Sequence, residues 1–479
     1  MKSKTTGRVA LIIVLALAIV AGVSYMPLEK WTGGKIKDFN LLSDILPSVG
    51  DTTSLGEDAA GIDPELLKLE QQGEMPSGLN GDVHLTPQPE PEGGWSLRDT
   101  VWAYVDPDTV VKAPQPNRVG NIVAIEDYTS GSRGMAALKA ALASGRLARI
   151  AVVGDSYIEG DIFTQNLREQ LQNTYGGCGV GYVNMHTDFP GFRRSVKQGG
   201  SGWTSFDPNN KKGNNLYMGL SEHYFKPKGN ALSTYHGVTA LQHLDTWSRS
   251  QFLFISPNST TVSVKTTGEW VSHEITGSEK VQSITVDGPT GAFEVKATDP
   301  QLIALGVWLD GDKGVSVDCM SSRGFSGITL TRVNPALCRA MAKEINYDLI
   351  ILEFGINAMS AKQTDYSIYS RRMVEVINHV RTCYPTSDIL LMGIGDRGEK
   401  RGGEVHSMRS CQYMVDAQRQ AARKAHCLFW DTREAMGGDD AIVTWAKNGK
   451  ANKDYIHMTH SGGADLATLL YNAMRLSLK

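Results

Sequence analysis

The sequence of 479 residues predicts an α/β protein, a doubly wound parallel sheet interrupted by an all-β segment and preceded by a transmembrane helix and a tether. Three observations predict this. Short apolar runs ending in glycine, each followed by a helical pattern, occur before residue 200 and again after residue 317, as buried parallel strands and crossover helices do. Between them, residues 201–317 alternate apolar and polar side chains with period two. At the start, Lys2, Lys4 and Arg8 precede an uncharged, mainly apolar segment from Val9 to Met26.

That segment is about the minimum length of a spanning helix and longer than most signal-peptide cores. The basic residues ahead of it favour a cytoplasmic N-terminus, although Lys30, Lys35 and Lys37 weaken the asymmetry. No small-x-small cleavage site follows, so residues 1–26 are expected to be a retained signal anchor, with a cleaved signal peptide as the alternative. The bulk of the chain is then extracytoplasmic, held in the cytoplasmic (inner) membrane and facing the periplasm, or secreted if cleaved. Residues 27–116 show little periodicity and contain clusters such as Gln88-Pro-Glu-Pro-Glu-Gly-Gly94, which read as a low-complexity tether. A net charge of −3 and the absence of a long basic run argue against a nucleic-acid partner.

The first part of the α/β domain is expected over residues 117–200. A helix from Met135 to Leu147 leads into the strand Ala148–Gly154, whose Ile and Val run stops abruptly at the glycine. Asp155, Ser156, Glu159 and Gly160 follow, then a helical pattern of Ile162, Phe163, Leu167 and Leu171 that ends at Gly176-Gly177. This order places Ser156 at the carboxyl end of a strand, where open α/β sheets bind ligands. Its N–H and the following helix N-terminus face any developing negative charge. A plain turn capped by Asp and Ser accounts for the same tripeptide. The glycine-rich run 176–181 lacks the Lys-Ser/Thr of a phosphate loop and does not follow a strand, so no cofactor is expected.

Runs such as Gln251–Ile255, Thr261–Lys265, Val281–Val286 and Leu302–Leu309 predict a small β-sandwich over 201–317. Trp203, Trp247, Trp270 and Tyr235 within it suit either sugar stacking or a core. The α/β rhythm returns over 318–479. Strand Asp348–Phe354 ends at Gly355-Ile356-Asn357, helix Arg371–Thr382 leads to strand Asp388–Ile394, and helix Met414–Ala425 precedes Leu428–Asp431. The six cysteines are scattered without CxxC spacing, so no metal site is expected; export permits disulfides, with no pairing specified by the sequence, and several of the six read as buried thiols.

Asn357 stands at a strand end, as Ser156 does, and its amide can donate to an oxyanion or stabilise a turn. Arg323–Gly327 is another turn, and its backbone N–H groups lie where the fold re-enters after the insertion. Asp454-Tyr-Ile-His457 sets a carboxylate three residues ahead of an imidazole, so Asp454 can accept from one ring nitrogen while the other faces a serine. His460 lies nearby, but two histidines without a third ligand do not make a zinc set.

Gly154-Asp155-Ser156, Gly327 within Gly324-Phe-Ser-Gly327, Gly355-x-Asn357 and Asp454-x-x-His457 occur in the order of the four blocks of the SGNH (GDSL-type) hydrolases. The chain resembles that family over roughly 135–202 and 319–479. The phrases Gly154–Asp161 and Ala451–His457 look most like those of bacterial peptidoglycan O-acetylesterases, which also carry a β-sandwich inserted after the first block. The resemblance implies a flavodoxin-like sheet, Ser156 as nucleophile, His457 as general base then acid, and Asp454 as its orienting group. It implies an oxyanion hole of the Ser156 and Gly327 N–H groups and the Asn357 amide. Tyr157 replaces the usual Leu and Ala358 an Asp common in the family, which puts substrate shape in doubt.

The expected function is a serine esterase that removes acetyl or a similar small acyl group from an extracytoplasmic glycan, foremost O-acetylated peptidoglycan. The alternative is an O-acetyltransferase that uses the same triad to acylate a polysaccharide, supplied by a membrane acyltransferase partner. A tethered glycan-binding relic is a lesser third reading, and the intact Ser, His, Asp and Asn set counts against it. The inserted β segment is expected to present the glycan, its two ends returning near Ser156 and Gly327.

Overall fold

The computed structural model describes residues 118–479 apart from Lys211. The expected anchor (1–26) and tether (27–116) lie outside the described residues. Among the described residues no helix is long and apolar enough to cross a membrane.

The central sheet has six strands: β1 (Glu126–Asp127), β2 (Ala148–Gly154), β3 (Val315–Ser321), β4 (Leu349–Glu353), β5 (Asp388–Met392) and β6 (Leu428–Trp430). Their spatial order is β3-β2-β4-β5-β6-β1, and all are parallel except the short edge strand β1. Setting β1 aside, this is the flavodoxin-like winding order. The chain moves outward from β2 to β3, then crosses back to β4 on the other side. The crevice of such a sheet opens at that reversal, above the carboxyl end of β2.

Both faces of the sheet are covered, which is why its strands read as continuous apolar runs. Along β2, Ile150 and Val152 point to one layer and Ala151 and Val153 to the other, as the period of two requires. The first layer packs on helices α1 (Ala136–Ser144), α2 (Thr164–Tyr175) and α5 (His460–Leu478), through residues such as Leu138, Leu167, Leu171, Leu466 and Leu470. The second packs on α3 (Ser367–Cys383) and α4 (Cys411–Lys424), through Met373, Ile377, Met414 and Val415. Each such fully buried aliphatic side chain contributes about 1.5–3 kcal/mol.

The inserted region differs from the expected sandwich in three ways. Its strands begin at Gly181–Val183 and Lys197–Phe206, before residue 201, and join one hydrogen-bonded antiparallel sheet of nine strands rather than two separate sheets. Register shifts between Ser201 and Trp203 and between Asp287 and Thr290 let long strands bend around a core of their own, as bulges do. Trp203, Trp247 and Tyr235 belong to that core, whereas Trp270 is half-buried beneath Lys296. Second, Val315–Ser321 is not the end of the insertion but β3, paired along its whole length with β2. Third, the ends of the insertion do not return near Ser156. Val315 N donates to Gly176 O at 2.9 Å and Gly311 N to Cys178 O at 3.1 Å. Val315 is level with Ala148, so both ends lie at the amino edge of the sheet.

What seats the insertion is a buried carboxylate. Asp318 on β3 accepts from Trp308 Nε1 at 2.8 Å, Tyr347 Oη at 2.7 Å and Tyr182 N at 3.1 Å. Beside it Arg149 Nη2 meets Asp310 Oδ2 at 2.6 Å, with both side chains buried. A buried ion pair of this kind is weak evidence for stability, but breaking one half is costly, so it fixes the orientation of the two regions.

Gly154 ends β2 because nothing larger fits. It is level with Glu353 in β4, and a β-carbon there would lie 2.6 Å from the Glu353 carbonyl oxygen and 2.9 Å from its carboxyl Oε2. Overpacking of a rigid site by one methyl costs about 1–3 kcal/mol, so Gly154→Ala is expected to lose that much in urea unfolding. An unchanged urea midpoint would show that the strand ends are not held as tightly as described.

Candidate active site

Three side chains from distant parts of the chain meet above the carboxyl edge of the sheet. Ser156 follows β2 directly, and its Oγ lies 3.1 Å from His457 Nε2. His457 Nδ1 lies 2.8 Å from Asp454 Oδ2, leaving Nε2 to accept from the serine when the ring is neutral. The other Asp454 oxygen accepts the Ile456 and His457 N–H groups at 2.9 and 3.1 Å, so one carboxylate holds both the ring and the turn beneath it. Burial pushes the Asp454 carboxyl up, but the hydrogen bonds from His457 and from the Ile456 and His457 N–H groups outweigh it and leave it below the usual range.

The histidine is positioned by its loop. Tyr455 takes a left-handed backbone, φ 56°, that reverses the chain. Asn452 N donates to His457 O at 2.8 Å, and Gly398 N to Tyr455 O at 2.8 Å ties the turn to the loop after β5. Two residues on, Thr459 caps α5 by accepting from Gly462 N at 3.2 Å. The loop therefore has little freedom to swing His457 away.

Gly327 and Asn357 also come to this rim. Gly327 has φ 89°, and a β-carbon on it would strike the Phe354 ring at 2.7 Å, so the backbone approaches closely only because it is glycine. Among the described residues neither the Ser156 nor the Gly327 N–H has a hydrogen-bond acceptor. Asn357 is different. Both hydrogens of its buried amide are used, one to Asp155 Oδ2 and one to the Phe325 carbonyl, each at 3.0 Å.

Tyr157 and Ala358, the two departures from the family pattern that put substrate shape in doubt, are core residues, both buried. The Tyr157 hydroxyl lies 3.5 Å from Met436 Sδ, and a β-carbon on Gly395 would be 2.3 Å from it. They shape what lies under the site.

The sequence reading passed over two carboxyls beneath the nucleophile. Asp155 is fully buried and accepts Tyr157 N at 2.9 Å as well as the Asn357 amide. Glu353, the polar end of an otherwise aliphatic strand, is also buried, and its Oε2 has no hydrogen-bond partner. Burial pushes Asp155 up to about 7, with the Tyr157 N–H, His457 and Asn357 offsetting only part of it. Burial and then the Asp155 charge push Glu353 well above the carboxylate range. The signal for this pair was a lone Glu closing a buried strand, which needs a protonated or shared state.

The described residues contain no group of three or more His, Cys, Asp or Glu that could hold a metal ion. All six cysteines are free thiols, five of them buried.

The winding order, the serine after the first parallel strand and the Ser–His–Asp relay from the C-terminal loop are the arrangement that the resemblance to the SGNH-type hydrolases implied. The chain overlays on a solved structure of a peptidoglycan O-acetylesterase with a TM-score of 0.61 at 23% identity, covering 74% of this chain and 99% of that one. A family two carbohydrate esterase from Cellvibrio japonicus overlays at 12% identity with a TM-score of 0.26, covering 59% of this chain and 98% of that one, a score too low to bear on the site. No family model matches the sequence, and no curated protein matches it significantly.

The Asp155 carboxyl sets a pH dependence. Its usual value is 3.8 and its folded value about 7, so across that window the unfolded chain has released a proton that the folded chain keeps. Stability therefore falls as pH rises from about 4 to 7, by on the order of 2–4 kcal/mol from this group. Glu353 and Asp388 add slopes of the same sign. Asp155→Asn is expected to flatten the curve of urea midpoint against pH in this range. An equal slope in the variant would place the proton elsewhere.

Proposed function

We propose that this protein is a serine esterase that removes acetyl or a similar small acyl group from an extracytoplasmic glycan, with O-acetylated peptidoglycan as the substrate. The observation that carries the reading is the continuous relay from Asp454 through His457 to Ser156, beside two uncommitted backbone N–H groups. In the first half-reaction Ser156 Oγ attacks the acyl carbonyl while His457 Nε2 takes its proton. The carbonyl oxygen turns toward the Ser156 and Gly327 N–H groups, which are preorganised for the charge that forms. His457 then returns the proton to the departing sugar hydroxyl. In the second half-reaction water attacks the acyl carbonyl as His457 takes its proton, and His457 returns that proton to Ser156 Oγ as acetate leaves.

Asp454 keeps His457 in the tautomer this cycle needs and stabilises the imidazolium. Asn357 serves as the third oxyanion donor by exchanging its bond to the Phe325 carbonyl for one to the oxyanion. The likeness of fold to a peptidoglycan O-acetylesterase supports the choice of glycan. The apolar segment Val9–Met26 and the tether after it support a domain held outside the cytoplasmic membrane, within reach of a cell wall.

Ser156→Ala is expected to abolish release of acetate from O-acetylated peptidoglycan and from a small acetyl ester, with the melting temperature little changed. Asn357→Ala is expected to lower turnover about 10²–10³-fold, the usual loss for one oxyanion donor. It also strands the Asp155 and Phe325 oxygens, so a stability loss of about 1–3 kcal/mol should accompany it. Turnover must therefore be referred to the folded fraction, and a normal rate per folded molecule would reduce Asn357 to a tie between loops. Acyl groups appearing on an added sugar acceptor, in place of free acetate, would convert the reading to acyl transfer.

A further inference from the structure

The loop 184–196, between the first two strands of the inserted sheet, climbs from that sheet to the rim beside Ser156. It carries two exposed aromatics, Phe189 at 59% and Phe192 at 41% exposure, among only six large apolar side chains so exposed in the described residues. Exposed phenylalanines close together at the rim of a site call for an explanation that scattered ones do not. They are not there by slackness. The root of the loop is held by Arg193, which donates to the Tyr182 carbonyl and Ser195 Oγ at 3.0 Å each and meets the buried Asp161 at 3.4 Å. Asp161 is itself paired with the buried Arg168 at 2.7 Å. At the tip, Arg323 lies 5.8 Å from the Phe189 ring and donates to Glu159 at 2.7 Å, three residues past the nucleophile. Phe192 lies so close over Gly160 that a β-carbon there would be 2.7 Å from the ring.

This loop parts two cavities. One, of about 260 Å³, lies between the inserted sheet and the turn after Ser156 and is lined by Glu159, Gly160, Phe189, Phe192, His223 and Arg323. The other, of about 500 Å³, lies beyond Phe192 beside the His457 turn, where Asn452, Met458 and His460 line it. The turn that follows Ser156 thus contributes Glu159 and Gly160 to the first hollow and the His457 turn contributes Asn452 and Met458 to the second, with Phe192 common to both. In the first hollow, His223 Nδ1 donates to the Ser221 carbonyl at 2.8 Å, which leaves Nε2 as an acceptor with no protein partner. Burial holds this imidazole below its usual value, so it stays neutral at neutral pH.

Building on the esterase reading, we propose that the two hollows are glycan subsites flanking the reacting ester, so that the enzyme takes internal residues of an extended strand. Phe189 and Phe192 pack against the apolar faces of successive sugar rings, and His223 Nε2 accepts from a sugar hydroxyl or amide N–H. A site for a terminal sugar or a small free ester needs one hollow, and here the Ser156 turn and the His457 turn each border a hollow of their own. The strand crosses from the inserted sheet to the His457 turn, which gives the insertion its task.

Solubilised O-acetylated peptidoglycan strands, a disaccharide and a longer strand, would be compared with p-nitrophenyl acetate as substrates. The longer strand is expected to exceed the disaccharide in kcat/KM about tenfold or more, tenfold being 1.4 kcal/mol. Phe192→Ala and Phe189→Ala should each lower the ratio of strand to small-ester kcat/KM by about tenfold, mainly through KM. His223→Ala should do the same, and calorimetry on the Ser156→Ala background should show weaker strand binding with each change. Melting temperatures identify any variant that is merely misfolded. Equal kcat/KM for both strand lengths, or variants that leave the ratio and the binding unchanged, overturns the subsites while the esterase reading stands. Hydrolysis by Ser156→Ala itself would overturn the reading beneath them.

Discussion

The buried carboxyl of Asp155 is the point at which the rim is tied together. It follows the last residue of β2, receives the N–H of Tyr157 from the turn that carries Ser156, and receives the amide of Asn357 from the end of β4. Through Asn357 it also reaches the Phe325 carbonyl in the loop that supplies Gly327. The Ser156 turn, the loop of Gly327 and the strand ends are thus joined by a few hydrogen bonds among buried side chains. In such surroundings each bond is electrostatically stronger than at the surface, and each missing partner costs more. The neighbouring Glu353 raises the stakes, because two carboxyls this close cannot both be ionised cheaply. Gly154 is the geometric cost of putting them there.

Charge is used in the same way at the other supports of the site. Arg168, Asp161 and Arg193 form a buried chain under the loop 184–196, and Asp318 gathers donors from the inserted sheet and from Tyr347. None of these sets contributes much net stability after desolvation. Each permits only one arrangement of the segments it joins, which an apolar contact of the same area does not.

Much of the site was legible because its chemistry lies at places the strand pattern marks. Ser156 and Asn357 each follow an aliphatic run that ends at glycine, and Asp454 and His457 have a spacing that lets a carboxylate orient an imidazole; the structure brings all four to one rim. The placing of Val315–Ser321 was not legible, because a strand buried on both faces and one in a half-buried sheet look alike over seven residues. The path of the insertion was misread for a related reason. Its ends are glycine-rich and say nothing about which edge of the sheet they join. Asp155 and Glu353 escaped notice since a carboxylate beside a catalytic motif reads as a cap, and only burial distinguishes a cap from a charge that must share a proton. The buried place of Tyr157 depended on Gly395 and Met436, far away in sequence.

The occupied amide of Asn357 bears on how such a site limits waste. A donor held permanently open in a buried rim would carry an unsatisfied hydrogen in the resting enzyme, at a cost of about 1–3 kcal/mol. Here that hydrogen rests on the neutral Phe325 carbonyl. Exchanging it for an oxyanion replaces an ordinary hydrogen bond with a charge-assisted one, roughly twice as strong. A ground-state ester carbonyl offers no such gain and leaves the resting bond in place. In the proposed mechanism the third donor is therefore recruited by the charge that develops in the transition state and not by the substrate, which is the condition for a contact to accelerate the reaction instead of only tightening binding. In the same proposal Ser156 and Gly327, whose N–H groups have no acceptor among the described residues, supply the fixed part of the cradle.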